Sequence, residues 1–462
     1  MNIPIRKLLI ANRGEIAVRI IRAAKSLGIA TVAACSEADA DSLPARLADE
    51  VYILGPARAD QSYLKSEALL QGARTCGVDA VHPGYGFLAE NADFAEAVEK
   101  AGYIFVGPTP DTIRMMGDKA VARRTAQAAG VPVVPGSDKA LDTVTAALRC
   151  AEEIGYPLLI KAAAGGGGRG IRIAHNAADL TRDFPIAQSE ARAAFGSGDV
   201  YLEHFIQHAR HIEVQILGDG EHVVHLYERE CSLQRRRQKV FEEAPSPALS
   251  PTQREAICHS ALQLAQQIRY RGAGTLEYLF DIATGRFYFI EMNTRIQVEH
   301  PVTEMITGVD LVQWMLRIAQ GEPLTLTQEA ITINGSACEM RINAEDPARG
   351  FFPCPGVVEE LVWPQGEGVR VDSHLYSGYR IPAYYDSLLA KLIVHGRDRQ
   401  QAIARAERAL HQLKLTGITT TQSLHQWLIA DPRLRAGQFD TTTLEAWLKE
   451  RADTKTPISQ EA

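Results

Sequence analysis

An apolar, β-prone run, Phe287-Tyr288-Phe289-Ile290, leads directly into Glu291-Met292-Asn293-Thr294-Arg295-Ile296-Gln297-Val298-Glu299-His300. The first four residues read as a buried strand. Strand alternation sends Glu291 and Asn293 to one face and Met292 to the other. Arg295, Gln297 and Glu299 keep the same every-second-residue spacing. A packed core has no use for such a series, because each buried polar group needs a partner, and a solvated loop does not need its order. The chain must fold so that a strand end presents charged chemistry. A carboxylate beside a carboxamide is a hard oxygen donor set, the kind Mg²⁺ accepts together with phosphate oxygens and water.

Composition removes several classes. The chain has 462 residues, which suggests about three domains, and its 46% hydrophobic and 23% charged content is that of a soluble enzyme. With 49 basic against 56 acidic residues, a net charge of −7, it lacks the basic excess of a nucleic-acid binder. The seven cysteines form no C-x-x-C pair and are odd in number, which fits a reduced cytoplasmic protein. No apolar run approaches the roughly 18 residues of a membrane span. The apolar N-terminal stretch is interrupted by Asn12-Arg13-Gly14-Glu15, so it does not read as a signal peptide.

The first part of the chain, 1–115, alternates strand and helix, the pattern of an open parallel sheet. Lys7–Ala11 and Ile29–Cys35 read as strands, and Glu15–Leu27 as a helix with Ile16, Ile20 and Ala24 on one face. The turn at Asn12–Glu15 lacks the three glycines of a dinucleotide fingerprint, which disfavours a dehydrogenase. A second turn, His82-Pro83-Gly84-Tyr85-Gly86-Phe87, follows a strand and falls at the carboxyl edge of the sheet, where ligands bind. Taken alone it reads first as a tight turn around a packed aromatic. Residues 134–207 look like an inserted lid within a domain spanning 116–325. A further domain covers 331–446, with strands near Cys338–Ile342 and Leu389–Val394 and a helix from Arg399 to Leu413, and 447–462 is a tail.

Three more constellations carry chemistry. Lys161-Ala162-Ala163-Ala164-Gly165-Gly166-Gly167-Gly168-Arg169-Gly170 lies between the strand-like Pro157–Lys161 and Ile171-Arg172-Ile173. Glycines let successive N–H groups close around a phosphate, and without a Gly-Lys-Ser/Thr ending the run reads as a flap, not a P-loop. Next comes Cys231–Lys239, ahead of Glu242 and Glu243. Arg235 and Arg236 fit a solvated face at least as well as a site, whereas Lys239 is the better candidate for an anion contact. Finally, Glu277 stands in the apolar run Arg271–Phe280, separated from Glu291 by a turn at Ala283-Thr284-Gly285. A hairpin there brings two carboxylates together, and they repel unless a cation lies between them.

Arg13-Gly14-Glu15-Ile16-Ala17, His82–Asn91, Gly165–Gly170, Cys231–Lys239 with Glu242 and Glu243, and Glu291–Glu304 closely resemble the biotin carboxylases of the ATP-grasp superfamily. The resemblance is collinear from about residue 5 to about residue 445. It implies an α/β fold: an N-terminal open parallel-sheet domain, an ATP-grasp domain with a mobile glycine-rich lid, and a C-terminal α/β domain. The implied reaction uses MgATP (or the Mn²⁺ salt) and bicarbonate to form carboxyphosphate, then carboxylates N1 of biotin on a carrier protein.

Carried over residue by residue, the resemblance assigns ATP phosphates to Lys119, Lys161 and the backbone of Gly165, Gly166, Gly167 and Gly168. Adenine would meet backbone groups at His204 and Ile206 beyond Glu203, with His211 and Gln234 lining the nucleotide site. Glu277 and Glu291, with Asn293, would hold the metal. Lys239, Arg295, Gln297 and the Val298 amide would bind bicarbonate, with Glu299 as its base. Arg341 would stabilise the enolate-like ureido oxygen of biotin, and Tyr85 would border the biotin pocket. Two positions depart from the family. Arg237, which would add charge near the phosphates, stands where His or Asn is usual, and Ala164 replaces a usual glycine of the flap.

Another ATP-grasp ligase would leave Arg295–Glu299 and Arg341 without work, and a nucleotide-sensing regulatory protein would not need Glu299 and Lys239. None of the seven methionines is followed by lysine, so the chain lacks a biotin attachment motif. The expected partners are therefore a separate biotin carboxyl carrier protein and carboxyltransferase subunits, with a homodimer as the expected state. The complex most expected is acetyl-CoA carboxylase, acting in fatty acid synthesis. Another acyl-CoA, pyruvate or urea-type carboxylase is the alternative.

Overall fold

The computed structural model describes residues 3–137, 139–162, 171–195 and 198–453. Gly165–Gly168 and Ala164 of the expected flap lie outside them. The chain divides into two compact units, one made of Met1–Val131, Arg210–Tyr278 and Glu291–Ala462, the other of Pro132–Ala209 and Leu279–Ile290.

The first unit opens with five parallel strands, β1 (Lys7–Ile10), β2 (Ala30–Ser36), β3 (Glu50–Gly55), β4 (Ala80–His82) and β5 (Ile104–Phe105), in the order β3-β2-β1-β4-β5. The Gly14–Ser26 helix buries Ile16, Ile20 and Ala24 as expected, and also Ala17, Ile21 and Ala23, because a two-sided core surrounds it. Strand order reverses at β1, so the loops after β1 and β4 diverge into a crevice at the carboxyl edge. Asn12 Nδ2 ties the two loops together, donating to the Pro83 and Tyr85 carbonyls at 2.6 and 2.7 Å. Gly84 (φ +64°) is needed there, since a Cβ would lie 2.9 Å from Asn12 Nδ2.

In the second unit, β6 (Leu158–Ala162), β7 (Ile171–Ala174) and β8 (Val200–His204) form an antiparallel sheet in the order β7-β6-β8. The Val144–Ile154 and Ala177–Phe195 helices supply Ala147, Leu180 and Phe184 to a core with Leu158, Ile160 and Leu202.

The largest sheet contains β9 (Ala209–Asp219), β10 (Val223–Arg235), β11 (Gln238–Ala244), β12 (Arg271–Asp281), β13 (Phe287–Asn293) and β14 (Ser336–Asn343), then the Leu388–Gly396 and Val369–Ser373 strands. Its order is β13-β12-β9-β10-β11-β14, then Leu388–Gly396 and Val369–Ser373. On β14, Cys338, Met340 and Ile342 enter a core with Leu392, Val394 and the helices Arg399–Gln412 and Gln422–Ala430. The opposite face carries Ala337, Glu339 and Arg341, and there Ala337 packs with Val302 and Ile306 of the His300–Thr307 helix.

Three expectations need correction. Phe287–Ile290 is not a buried run: β13 is an edge strand, and of these four residues only Phe289 is buried while Ile290 is 40% exposed. The strand ends at Asn293, so Arg295, Gln297 and Glu299 lie in a loop and not on a continuing pleat. Residues 447–453 are no tail, because the Thr443–Asp453 helix runs through them and buries Trp447.

Burial of neutral histidines makes this fold acid-sensitive. Desolvation lowers His82 and His374 to about 3 and His425 to about 4. Unfolding exposes these rings to protonation near the ordinary value of about 6.5. Their contribution is complete above that pH and is lost as pH falls toward the folded values. Between about pH 7.5 and about pH 5, each should remove about 2 kcal/mol of stability. Urea unfolding at both pH values should show a smaller loss for His82→Asn, whose amide oxygen can still accept the 3.0 Å bond from the Gly84 N–H. An equal loss in variant and wild type would exclude His82 as a source.

Candidate active site

One ammonium organises the polar face of the large sheet. Lys239 Nζ, at the start of β11, donates to Glu299 Oε1 at 2.7 Å, to Glu277 Oε1 at 3.2 Å and to a Glu213 oxygen. Glu213 lies on β9 and Glu277 on β12, while Glu299 ends the loop before the His300–Thr307 helix. Arg341 on β14 approaches Glu299 from the other side, donating to Oε2 at 2.9 Å and to Glu242 Oε1 at 2.6 Å. Glu299 is thus clamped between two cations.

The 294–299 loop is fixed residue by residue. Arg295 donates to Glu90 Oε2 at 2.8 Å, to Gln297 Oε1 at 2.8 Å and to Asn293 Oδ1 at 3.0 Å. Asn293 and Gln297 donate to Glu277 Oε1 at 2.7 and 3.2 Å. His300 Nδ1 donates to the Gln297 carbonyl, and Lys391 Nζ donates to the Val298 carbonyl at 2.9 Å. Lys391 also meets Glu15 at 3.1 Å, and Glu15 accepts the Tyr85 hydroxyl. His211 Nε2 lies 2.9 Å from Glu277 Oε2, with Gln234 Nε2 2.6 Å from His211 Nδ1.

Charge decides the ionisation states. Burial opposes ionisation of Glu299, but Lys239 and Arg341, with Arg229 behind them, outweigh it and hold the carboxyl well below the usual range. Glu277 is likewise lowered, because Lys239 and His211 overcome its desolvation. Glu291 is instead raised, by burial and by the charge of Glu277. The only cation near it among the described ion pairs is Lys119, 3.9 Å away on a side chain that is 88% exposed. Glu277 and Glu291 are hard oxygen donors whose charges repel, and Asn293 beside them is a neutral one, a set that fits a divalent cation such as Mg²⁺.

In the second unit, Lys161 pairs with Glu203 across adjacent strands. The His204 N–H is already committed to the Pro135 carbonyl at 2.8 Å, and Ile206 is buried beside Val134 and Ala209. Arg237 occupies, with Arg236, the two-residue turn joining β10 and β11, at φ 66° and 48°, and both are exposed. Left-handed turns of this length suit the twist of paired strands, so the arginines are presented outward by hairpin geometry.

Several residues of the cluster carry little or no signal in the sequence. Glu213 alternates with His211 and Gln215 between apolar neighbours, a period-two pattern that could have marked it. Arg229 is fully buried and donates to Gln215 at 2.7 Å, Thr303 at 3.0 Å and Glu213 at 3.2 Å. Its run, Tyr227-Glu228-Arg229-Glu230, gives no sign of which charges point inward.

Profiles for three domains match the chain in order: "Biotin carboxylase, N-terminal domain" over residues 4–113, "Carbamoyl-phosphate synthase L chain, ATP binding domain" over 118–327 and "Biotin carboxylase C-terminal domain" over 339–446. Biotin carboxylase of Pseudomonas aeruginosa is 53% identical over 443 residues, 96% of this chain and 98% of that protein. A pyruvate carboxylase subunit of Methanothermobacter thermautotrophicus is 48% identical, over 94% of this chain and 88% of its own. The biotin carboxylase domain dimer of Hydrogenobacter thermophilus 2-oxoglutarate carboxylase, solved with MgADP, ADP and bicarbonate, superposes with a TM-score of 0.87 at 50% identity, covering 96% of this chain and 97% of that one. With three family domains in order and half its residues shared across nearly its whole length, the chain belongs to the biotin carboxylase family of ATP-grasp ligases, as the biotin carboxylase subunit of a biotin-dependent carboxylase.

Proposed function

We propose that this subunit carboxylates biotin on a separate carrier protein through carboxyphosphate, with Glu299 as the base for bicarbonate. The observation that carries this reading is Glu299 bridged by Lys239 at 2.7 Å and Arg341 at 2.9 Å. A carboxylate so clamped is a weak base. Bicarbonate, an anion, competes for Lys239, and Arg295, Gln297 and the Val298 amide add donors for it. Once Lys239 turns to the substrate, Glu299 regains proton affinity where the proton is released. Arg341 then faces the ureido oxygen of biotin, with Tyr85 at the pocket edge. The resemblance to the family assigns ATP to Lys119, Lys161, Gly165–Gly168, Glu203, His204, Ile206, His211, Gln234 and Arg237. Mg²⁺ or Mn²⁺ on Glu277, Glu291 and Asn293 would supply charge neutralisation at the phosphates.

The proposed complex is acetyl-CoA carboxylase, supported by the relatives named simply biotin carboxylase. The second reading is a pyruvate or other 2-oxoacid carboxylase, favoured by relatives of nearly equal identity that bear those names. A homodimer in the cytoplasm is part of the proposal. No helix among the described residues is long and apolar enough to cross a membrane.

Purified protein should release ADP from MgATP only with bicarbonate, and faster with biotin. Glu299→Gln should lower turnover by about 10²–10⁴-fold and leave nucleotide affinity largely intact, because an amide cannot accept the proton. ATP turnover indifferent to bicarbonate and biotin would sink this assignment. Arg237→His should weaken ATP binding by only a few-fold at low salt and negligibly at high salt, as expected for an exposed charge. A large, salt-independent loss by calorimetry would instead mean a direct phosphate contact. Holo-carrier should exceed free biotin in kcat/KM by about 10²-fold or more, while a streptavidin blot of the chain itself stays blank. Equal efficiencies, or covalent biotin on this chain, would refute the division of labour.

A further inference from the structure

Glu242 and Glu339 face each other directly across β11 and β14 in antiparallel register. Opposed residues of such a pair project to the same face with Cβ atoms about 5 Å apart. Both side chains are fully buried, at 0% exposure. Glu242 Oε2 and both oxygens of Glu339 have no hydrogen-bond partner among the described residues. Glu242 Oε1 accepts from Arg341 Nε at 2.6 Å. Two fully buried carboxylates at directly opposed positions of neighbouring strands, with three of their oxygens lacking a partner among the described residues, cannot both remain ionised.

We infer that Glu242 and Glu339 form a singly protonated carboxyl pair that positions Arg341 and sets the upper pH limit of carboxylation. The inference rests on the assignment of Arg341 to biotin. The groups that face Glu339 are Glu242 from β11, Arg341 from its own strand, Lys391 from the neighbouring strand and Glu299 ahead of the His300–Thr307 helix. Burial raises the Glu339 carboxyl well above the usual carboxylate range, and Glu242 and Glu299 add to the rise while Lys391 and Arg341 oppose it. Burial raises Glu242 as well, against the pull of Arg341. His300, on the helix packed against this face, is held neutral by burial and by the nearby cations. With one proton shared, the pair presents a single negative charge, and Arg341 divides its N–H groups between Glu242 and Glu299. Loss of that proton adds a second charge, draws Arg341 toward the pair and releases it from Glu299 and from biotin. Glu339 and Glu242 are thus positioning residues, acting through Arg341.

The test has a spectroscopic arm and a kinetic arm. Infrared spectra of the full chain at neutral pH, in H₂O and D₂O, should show the isotope-sensitive carbonyl stretch of a buried protonated carboxylic acid, and Glu339→Gln should remove it. In biotin-stimulated ADP release, Glu339→Gln should move the alkaline limb of kcat upward by about one pH unit or more, because an amide cannot ionise. Glu242→Gln should lower kcat about tenfold with the KM for ATP little changed. Absence of the band in wild type overturns the inference even if no variant folds, and so does a band that survives both substitutions. An alkaline limb identical in wild type and Glu339→Gln also overturns it. Should ATP turnover ignore biotin altogether, the biotin carboxylase reading fails, while the infrared arm still decides whether the pair holds a proton.

Discussion

Three carboxylates surround the Lys239 ammonium, and most of the polar architecture follows from that crowding. Glu213, Glu277 and Glu299 are buried and sit close enough to share one cation. Removing Lys239 would take the shared cation from three buried carboxylates at low dielectric, where breaking even one buried pair costs about 3–5 kcal/mol. The surrounding residues answer the same demand. Arg229 neutralises Glu213 from beneath, Arg341 takes the far side of Glu299, and Asn293 and Gln297 donate to Glu277. An arrangement so dependent on one cation is poised to exchange it for the charges of a ligand set.

The scaffold delivers these groups by two different means. Strand pairing sets Glu213, Glu277, Lys239, Glu242 and Arg341 at heights defined by register, on strands that cannot move independently. The 294–299 loop has no ladder to hold it, so its shape is fixed by side chains: Glu90 on Thr294 and Arg295, His300 on Gln297, Lys391 on Val298. Glu90 and Glu15 come from the parallel-sheet domain, so that domain helps to shape a loop that belongs to a different sheet.

Much of this is legible in the sequence where periodicity and residue type agree. The parallel sheet, the Gly14–Ser26 helix and the hairpin carrying Glu277 follow from local patterns, and the Glu291–Glu299 series stands out by its polarity where a core is expected. Pairings set only by three-dimensional register are not legible. Nothing in the run Val240–Ala244 tells that Glu242 turns toward Arg341 while Glu243 turns to Arg399, since that depends on which face of β11 the helices cover. The exposure of Ile290 depends on β13 being an edge, and strand order is a property of the whole chain. Arg229 escapes a reading of the sequence because charge runs normally mark solvated faces, and a buried arginine is recognisable only once its partners are assembled.

The alternation of β14 has a consequence for how such a chain can change over time. Cys338, Met340 and Ile342 are committed to the helix-covered core, and Glu339 and Arg341, one position out of phase, to the charged face. A deletion or insertion of one residue upstream within this strand would swap the two sets, driving an arginine and a glutamate into hydrocarbon and methionine into the charge cluster. Length variation is therefore barred here and displaced to the surface turns. Substitution can tune this strand, but its reading frame relative to its neighbours is as constrained as any side chain in the site.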